Sequence, residues 1–519
     1  MARGTRDIAR YDALRRRVSH EVVSGFSAFA GFLALGTAAY LNGRFAVADL
    51  GHFANAAWNT LHGDLAFSSV KGHSALAEHF GPLWLLALPL FAVCRSAWAI
   101  LAFQAVLWGI SAAGVSRLAA DLGSRGAWRT LWVLGFCFHP VVVGNVLWGF
   151  NEIDAALPIL TWLAVFVVRK RWGVVAALSC VGWLAKEEMP LVAIGVAALV
   201  ALRSRRLALP TGLACASLAA FILVVRVVMP MLGGGRSYAL TVRYSHLGSG
   251  LAQAVSALLS HPSAAIAPPA AAEKVCDLIL LLLPLGFLPL KRPSWLLGAA
   301  PTALYLWLMN IPFVFSGGYH YPIPLVPFLF ASAMAGSPMP SGRARVAFAL
   351  GLCASGLLLV RAIVPAVFMP VANIASVRRA VALVPADASL CTDNQTGVFL
   401  AYRRSLRLFP VRDSRPAGPP VEYVLNLRVI HNVRFGHLSA AVLRDEVLAL
   451  DRRDGYRRSF EEAGVVIYAL GPGPPVGPPL TADEITAERP PHYSMRKAVL
   501  RWLRRSSAAQ GSHSARRLP

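Results

Sequence analysis

Acidic residues are scarce in this chain. Only 26 of its 519 residues are Asp or Glu, against 50 Lys or Arg, and charged residues of both signs make up 15%. With 56% hydrophobic residues and a mean hydropathy of +0.55, that is too little charge for a soluble protein of this length. Cysteine is equally uninformative as a framework. The seven (Cys94, Cys137, Cys180, Cys215, Cys276, Cys353, Cys391) are odd in number, fall mostly inside apolar segments and never form CxxC, which excludes a disulfide scaffold and a zinc knuckle. No GxGxxG, Walker loop, GxSxG or HExxH occurs in a supporting context, so ATP-driven transport and standard hydrolase chemistry have no footing. No residue is assigned to a metal, because the histidines show neither HxxxH nor HxH spacing; a divalent metal is left open as a cofactor.

What is present is a succession of apolar stretches near the ~20 residues that cross a bilayer. Basic clusters fall between them: Arg15–Arg17, Arg125 and Arg129, Arg169–Arg171, Arg203–Arg206, Lys291–Arg292, Arg343 and Arg345. That alternation assigns the net charge of +24 to the positive-inside rule and excludes nucleic acid as a partner. The partner is the lipid bilayer of an inner or plasma membrane. The predicted fold is mainly α, a polytopic bundle of about eleven spans. They lie near 21–41, 97–119, 128–147, 154–168, 172–185, 189–202, 208–232, 274–290, 295–310, 322–337 and 346–369, with Pro82–Val93 too short for a crossing and read as interfacial. Residues 1–20 form a basic cytoplasmic N-terminus, 21–370 the membrane domain with a large outer loop at 42–96, and 371–470 an extracytoplasmic α/β domain. The alternative for the first span, a cleaved signal peptide ending near Ala38–Ala39, is disfavoured by the many spans that follow. Within 371–470 the pattern predicts helices at Val377–Leu383 and Ala440–Leu450 and strands at Leu406–Phe409, Tyr423–Leu425 and Val465–Leu470. From 471 the chain is Pro/Gly-rich and basic, reads as disordered, and contains an amphipathic stretch at Met495–Arg505.

Polar residues near the outer ends of the spans carry the functional reading, since charge at membrane depth is costly. Asp49 stands a few residues past the first span. The candidate catalytic groups are Asp49, Glu78, His79, Glu152 and Asp154. The candidate substrate contacts are His52, Asn55, Lys186, Glu187, Tyr319 and His320. Each has a plainer reading beside it. Lys186 with Glu187 or Glu188 makes a local ion pair capping a hairpin, and Trp148, Trp162 and Trp183 serve as interfacial anchors.

The runs DLGHFANAAWNTLHG, AEHFGPLWLLALPLF, WLAKEEMPLV and GGYHYPIPLVPFLF resemble the bacterial membrane family called domain of unknown function 2079. The likeness covers about residues 45 to 470 and is specific in these four runs. That family in turn resembles, in layout, the GT-C glycosyltransferases, polytopic enzymes with an acidic residue in the first outer loop. The resemblance implies a polyprenyl-phosphate-linked sugar as donor, Asp49 as general base, Glu78 and His79 near the site, and Lys186 near the lipid phosphate. Gly51 and His52 stand where an Asp-Glu pair would otherwise extend the first-loop acid. The competing classes are a transporter or flippase, which would place ionisable groups at the midplane and often shows internal repeats, and a non-catalytic envelope scaffold.

Overall fold

The computed structural model describes residues 2–235, 239–266, 268–363, 367–371, 373–410, 422–428 and 440–485; the Met495–Arg505 stretch lies outside them. Helices occupy the place of each expected span, but among the described residues length and composition qualify four of them to cross a membrane: His20–Leu41, Trp98–Asp121, Ala208–Leu232 and Gly342–Arg361. The pair Ala127–Cys137 and Pro140–Trp148, bent by 42°, makes a fifth when counted as one broken span. Proline explains the bend and much of the shortfall, because it lacks the amide hydrogen and clashes with the preceding turn. Pro284, Pro289 and Pro293 break the expected 274–290 and 295–310 spans into a helix Ala271–Leu282, three 3-10 turns and a helix Ala300–Leu308. Large apolar side chains stand exposed on the long helices (Val22, Val23, Phe26, Leu218, Ile222, Leu350, Leu357), a surface suited to lipid and not to water.

The long helices of the N-terminal half pack through small residues. A Cβ on Gly109 would sit 2.8 Å from the Gly25 carbonyl and one on Gly25 3.1 Å from the Gly109 carbonyl, so the Ala2–Leu41 and Trp98–Asp121 helices touch backbone to backbone. The two ends of the bundle differ in character. At one end Glu21 meets Arg117 (3.4 Å) and Arg129 (3.7 Å), and Asp121 meets Arg117 (3.1 Å) and Arg169 (2.6 Å). Ser124 and Trp132 donate to the Pro338 carbonyl there, Lys291 to Ser337, and Arg345 lies over Trp128. The opposite end carries Asp49, Glu78, His79, Glu152, Glu187 and His320.

Between the first two long helices lie a helix His52–Leu61, a short antiparallel pair β1 (Phe67–Ser68) and β2 (His73–Ser74), and the Pro82–Cys94 segment, a 3-10 turn running into a seven-residue helix. The C-terminal part is a five-stranded sheet of β3 (Leu390–Thr392), β4 (Leu406–Leu408), β5 (Glu422–Asn426), β6 (Tyr456–Glu462) and β7 (Val465–Leu470), in the order β4-β3-β5-β7-β6. β3 runs parallel to both neighbours, and β5, β7 and β6 are antiparallel. Side chains alternate between faces as strand geometry requires. Cys391, Tyr423, Leu425, Val466 and Tyr468 pack with Leu443 and Val447 of the Ala440–Asp451 helix. Leu390, Leu406, Val424, Val465 and Ile467 continue into the main core with Val377 and Ala380 of the Ile374–Leu383 helix. β3 and β6 are additions to the expected strands.

The sheet is joined to the site end of the bundle by backbone and amide hydrogen bonds. Asn55 Nδ2 donates to the Arg403 carbonyl (2.7 Å), the Leu406 amide donates to Ser69 Oγ (2.8 Å), and Arg378 Nη2 donates to the Leu41 carbonyl (2.7 Å).

Candidate functional site

The segment Val47–Gly51 makes one wide helical turn that leads into the His52–Leu61 helix, and Asp49 rides on it. Asp49 is not the hydrated carboxylate expected beyond a span end. It is half-buried, and burial pushes its carboxyl up to about 6; Glu78 and Glu152 add to the rise, while Lys71 and the Trp148 indole oppose it. The C-terminal domain packs on this turn, with Val398 lying against Gly51.

A second layer is built by the loop before Pro82. Lys71 Nζ pairs with Glu78 Oε1 at 3.1 Å. Burial alone would raise the Glu78 carboxyl, but Lys71 and His79 outweigh it and hold it well below the usual carboxylate range. His79 Nδ1 meets Glu187 Oε1 at 2.8 Å, and the Phe80 amide donates to Glu187 Oε2 at 3.0 Å. Burial disfavours the imidazolium, yet Glu187 outweighs it and raises the His79 pKa above its ordinary value. His52 goes the other way: buried and near Lys71, it stays neutral, and its Nδ1 has no hydrogen-bond partner among the described residues. Gly81 lets this loop close, since a Cβ there would lie 2.6 Å from both the Ala185 carbonyl and Glu152 Cβ. Glu152 is thereby buried, and burial raises its carboxyl. Of the other loop histidines, His62 stacks on Trp58 at the surface and His73 is half-buried on β2.

The third layer is cationic and aromatic. Lys186 is 2% exposed, and its Nζ stands 3.7 Å from Glu188 Oε2, too far for a hydrogen bond. Burial lowers its pKa, but Glu188, Glu187 and Glu152 reverse that and keep it charged. Its ion-pair partner is Glu188, while Glu187 is engaged with His79 and Phe80. Tyr305 donates to Glu188 Oε1 at 2.9 Å. His320 is buried beside Lys186, His79 and Arg243, stays neutral, and has an Nδ1 with no hydrogen-bond partner among the described residues. Arg243 lies 5.4 Å over the Tyr321 ring, and Tyr319 stacks on Phe313 (4.4 Å) and leans on Trp148 (4.9 Å).

This layer meets the Asp49 layer through glycine contacts. A Cβ on Gly144 would overlap the Gly317 carbonyl at 1.8 Å, so the Pro140–Trp148 helix lies directly on the loop holding Tyr319 and His320. Gly144→Ala is therefore expected to force the two apart at a cost of about 1–3 kcal/mol. Gly173→Ala, with nothing within 4 Å of its Cβ, is the control. Thermal melting in detergent checks this: equal melting temperatures for the two variants would show that the contact yields easily.

Two candidates serve architecture. Asp154 accepts from Gln104 Nε2 (2.8 Å), the Asn151 amide (3.0 Å) and Asn145, which occupies both oxygens. Asn55 is used up by Arg403, Ser69 and Asn59. Trp162 donates to the Ile110 carbonyl, joining two helices. Sequence reasoning passed over Lys71 and Arg243 and read Trp148 as an anchor, whereas it lines the Asp49 carboxylate. The cue for Lys71 was a lone cation amid loop acids and histidines. Among the described residues, no group of three or more His, Cys, Asp or Glu is arranged to hold a metal ion.

A family model described as a predicted membrane protein, DUF2079, matches residues 45–426. The chain belongs to this family. The match opens just before the Asp49 turn and closes at Asn426 on β5, whose amide donates to Asp393 Oδ2 at 2.8 Å. The DUF2079 region thus contains every layer of the site and the parallel half of the sheet that touches it; β6 and β7 lie beyond it. No curated protein matches the chain.

Proposed function

We propose that this membrane protein is a GT-C-like glycosyltransferase that moves a sugar from a polyprenyl-phosphate donor to an acceptor hydroxyl on the outer face of the membrane. The observation that carries the reading is the conjunction, at one end of the bundle, of a carboxylate poised near 6 with a buried lysine and two neutral histidines. Asp49 takes the acceptor's hydroxyl proton, the acceptor oxygen bonds to the anomeric carbon, and the anomeric carbon–oxygen bond to phosphate breaks. The polyprenyl phosphate leaves with the bonding pair, its charge met by Lys186 and by an N–H of His320. A base with a pKa near the working pH combines a useful ionised fraction with real proton affinity. Lipid-linked donors suit this place, since nucleotide sugars are not supplied outside the membrane while a polyprenyl chain dissolves in it. The direct test is the purified protein in lipid nanodiscs with a panel of polyprenyl-phosphate sugars. Release of polyprenyl phosphate with a glycosylated product supports the reading; intact donors across the panel would end it.

The orientation belongs to the same proposal: about eleven apolar segments cross or enter the bilayer, the arginine-rich end faces the cytoplasm, and the domain from 371 faces out. Asn59 is a poor labelling site, being buried. Asp64 and Asp387 are exposed at the site end, and Lys170 is exposed beyond Arg169. In a background without the native cysteines, Asp64→Cys and Asp387→Cys are expected to react with an impermeant maleimide in intact cells, and Lys170→Cys only after permeabilisation. The reverse pattern would put the site inside.

A transporter would want ionisable groups at mid-membrane. Lys274, the buried lysine of the Ala271–Leu282 helix, instead donates to the Trp307 and Met309 carbonyls, and neighbouring Asn310 is bonded to the Arg243 carbonyl. It therefore lies toward the site end.

A further inference from the structure

We propose that Asn394 of the C-terminal domain is a positioning residue for Asp49, clamping the turn on which the base is carried. This rests on the transferase reading for its meaning and on geometry for its content. The Val47 amide donates to the Asn394 carbonyl at 2.6 Å, and the Ala48 amide donates to Asn394 Oδ1 at 3.0 Å. These two amides open the Asp49 turn, and a single residue satisfies both, as a side-chain cap does for a helix. The clamp is itself held. Asp393 Oδ1 accepts from the Gln395 and Thr396 amides (2.9 Å each), and its Oδ2 accepts from Asn426 on β5. Each loop presents a glycine to a valine of the other: a Cβ on Gly51 would be 3.5 Å from Val398 Cα, and one on Gly397 would be 3.0 Å from Val47 Cβ. The loop leaves the carboxyl end of β3, where parallel strands diverge to either side, the edge of such sheets at which ligand-binding loops gather.

Asp49 is faced by Lys71 and Glu78 from the preceding-Pro82 loop, by Glu152 before the Ala156–Val168 helix, and by the Trp148 indole. None of them fixes its turn, so Asn394 sets where the carboxylate stands among them. The readout is the Asp49 carboxyl band in pH-difference infrared spectra of the full-length protein, with Asp49→Asn subtracted. Asn394→Ala removes the side-chain acceptor of the Ala48 amide, admits water to the turn, and is expected to move the titration midpoint from about 6 toward the ordinary carboxylate value. Asn394→Asp keeps an acceptor and brings a second negative charge, so its midpoint moves up instead. In transfer assays at neutral pH, Asn394→Ala is expected to lose at least about tenfold in rate with the donor KM unchanged, and the acid limb of the Asn394→Asp profile shifts upward. If Asn394→Ala does not fold, Asn394→Ser is read in its place. A merely structural asparagine would lower melting temperature in these variants and leave the Asp49 midpoint where it was; that result overturns the proposal. The infrared titration needs no donor, so a wild-type protein that turns over no lipid-linked sugar would sink the transferase reading alone.

Discussion

Asp49→Asn is expected to lower the transfer rate about a hundredfold or more while leaving the protein at least as stable as the wild type at neutral pH. Asparagine keeps the size and hydrogen bonding of the side chain and removes its basicity. The stability half follows from linkage. Burial raises the Asp49 carboxyl to about 6, above its unfolded value, so the native state binds the proton more tightly than the unfolded chain. The stabilisation linked to this group is present at low pH and fades as pH rises from about 4 through about 6. At pH 7.5 the wild type holds an ionised carboxylate in a partly dry turn, a strain the amide does not have. Activity runs the other way: the ionised base is the working form, so the rate falls as pH drops through about 6. Rate–pH profiles and detergent melting curves of the two proteins check both halves. Near-wild-type turnover by Asp49→Asn would move the base to Glu152 or Glu78, and a lower melting temperature would make Asp49 a structural residue.

Lys186→Ala is expected to abolish polyprenyl-phosphate binding and to unsettle the fold at once. Its ammonium is buried beside Glu188, with Glu187 and Glu152 near enough to hold its proton, and removing one partner of a buried pair commonly costs 3–5 kcal/mol. The single variant therefore confounds recognition with stability, and the informative protein is Lys186→Met with Glu188→Gln. That pair removes both charges, leaves Tyr305 a hydrogen-bond partner, and is expected to melt closer to wild type. Binding of polyprenyl phosphate should still be lost, while binding of uncharged polyprenol is retained. If the double variant binds the phosphate as the wild type does, the Lys186 charge has no part in donor recognition.

The apolar segments and the basic clusters between them located the helices, because span length and charge placement are local properties. Proline positions also marked where segments break, yet the breaks turn 284–297 into 3-10 turns that hydropathy alone reads as helix. β3 is three residues buried on both faces and β6 reads YRRSFEE, so neither shows the alternation that flags a strand. The site was legible as a list of residue types at one end of the bundle. Its electrostatics were not. The His79 pKa is raised because Glu187 reaches it from 108 positions away, and that of His52 is lowered because the fold buries it near Lys71. The burial of Asp49 was equally hidden, since Asn394 closes its turn from a segment 346 positions beyond Ala48.

That separation has a temporal meaning. At roughly 5–20 residues per second, about 20–70 s of synthesis pass between the emergence of Ala48 and that of Asn394. Throughout that interval the nascent chain displays an Asp49 loop with no partner for its first amides. The turn that carries Asp49 therefore takes its closing hydrogen bonds only when the C-terminal domain arrives.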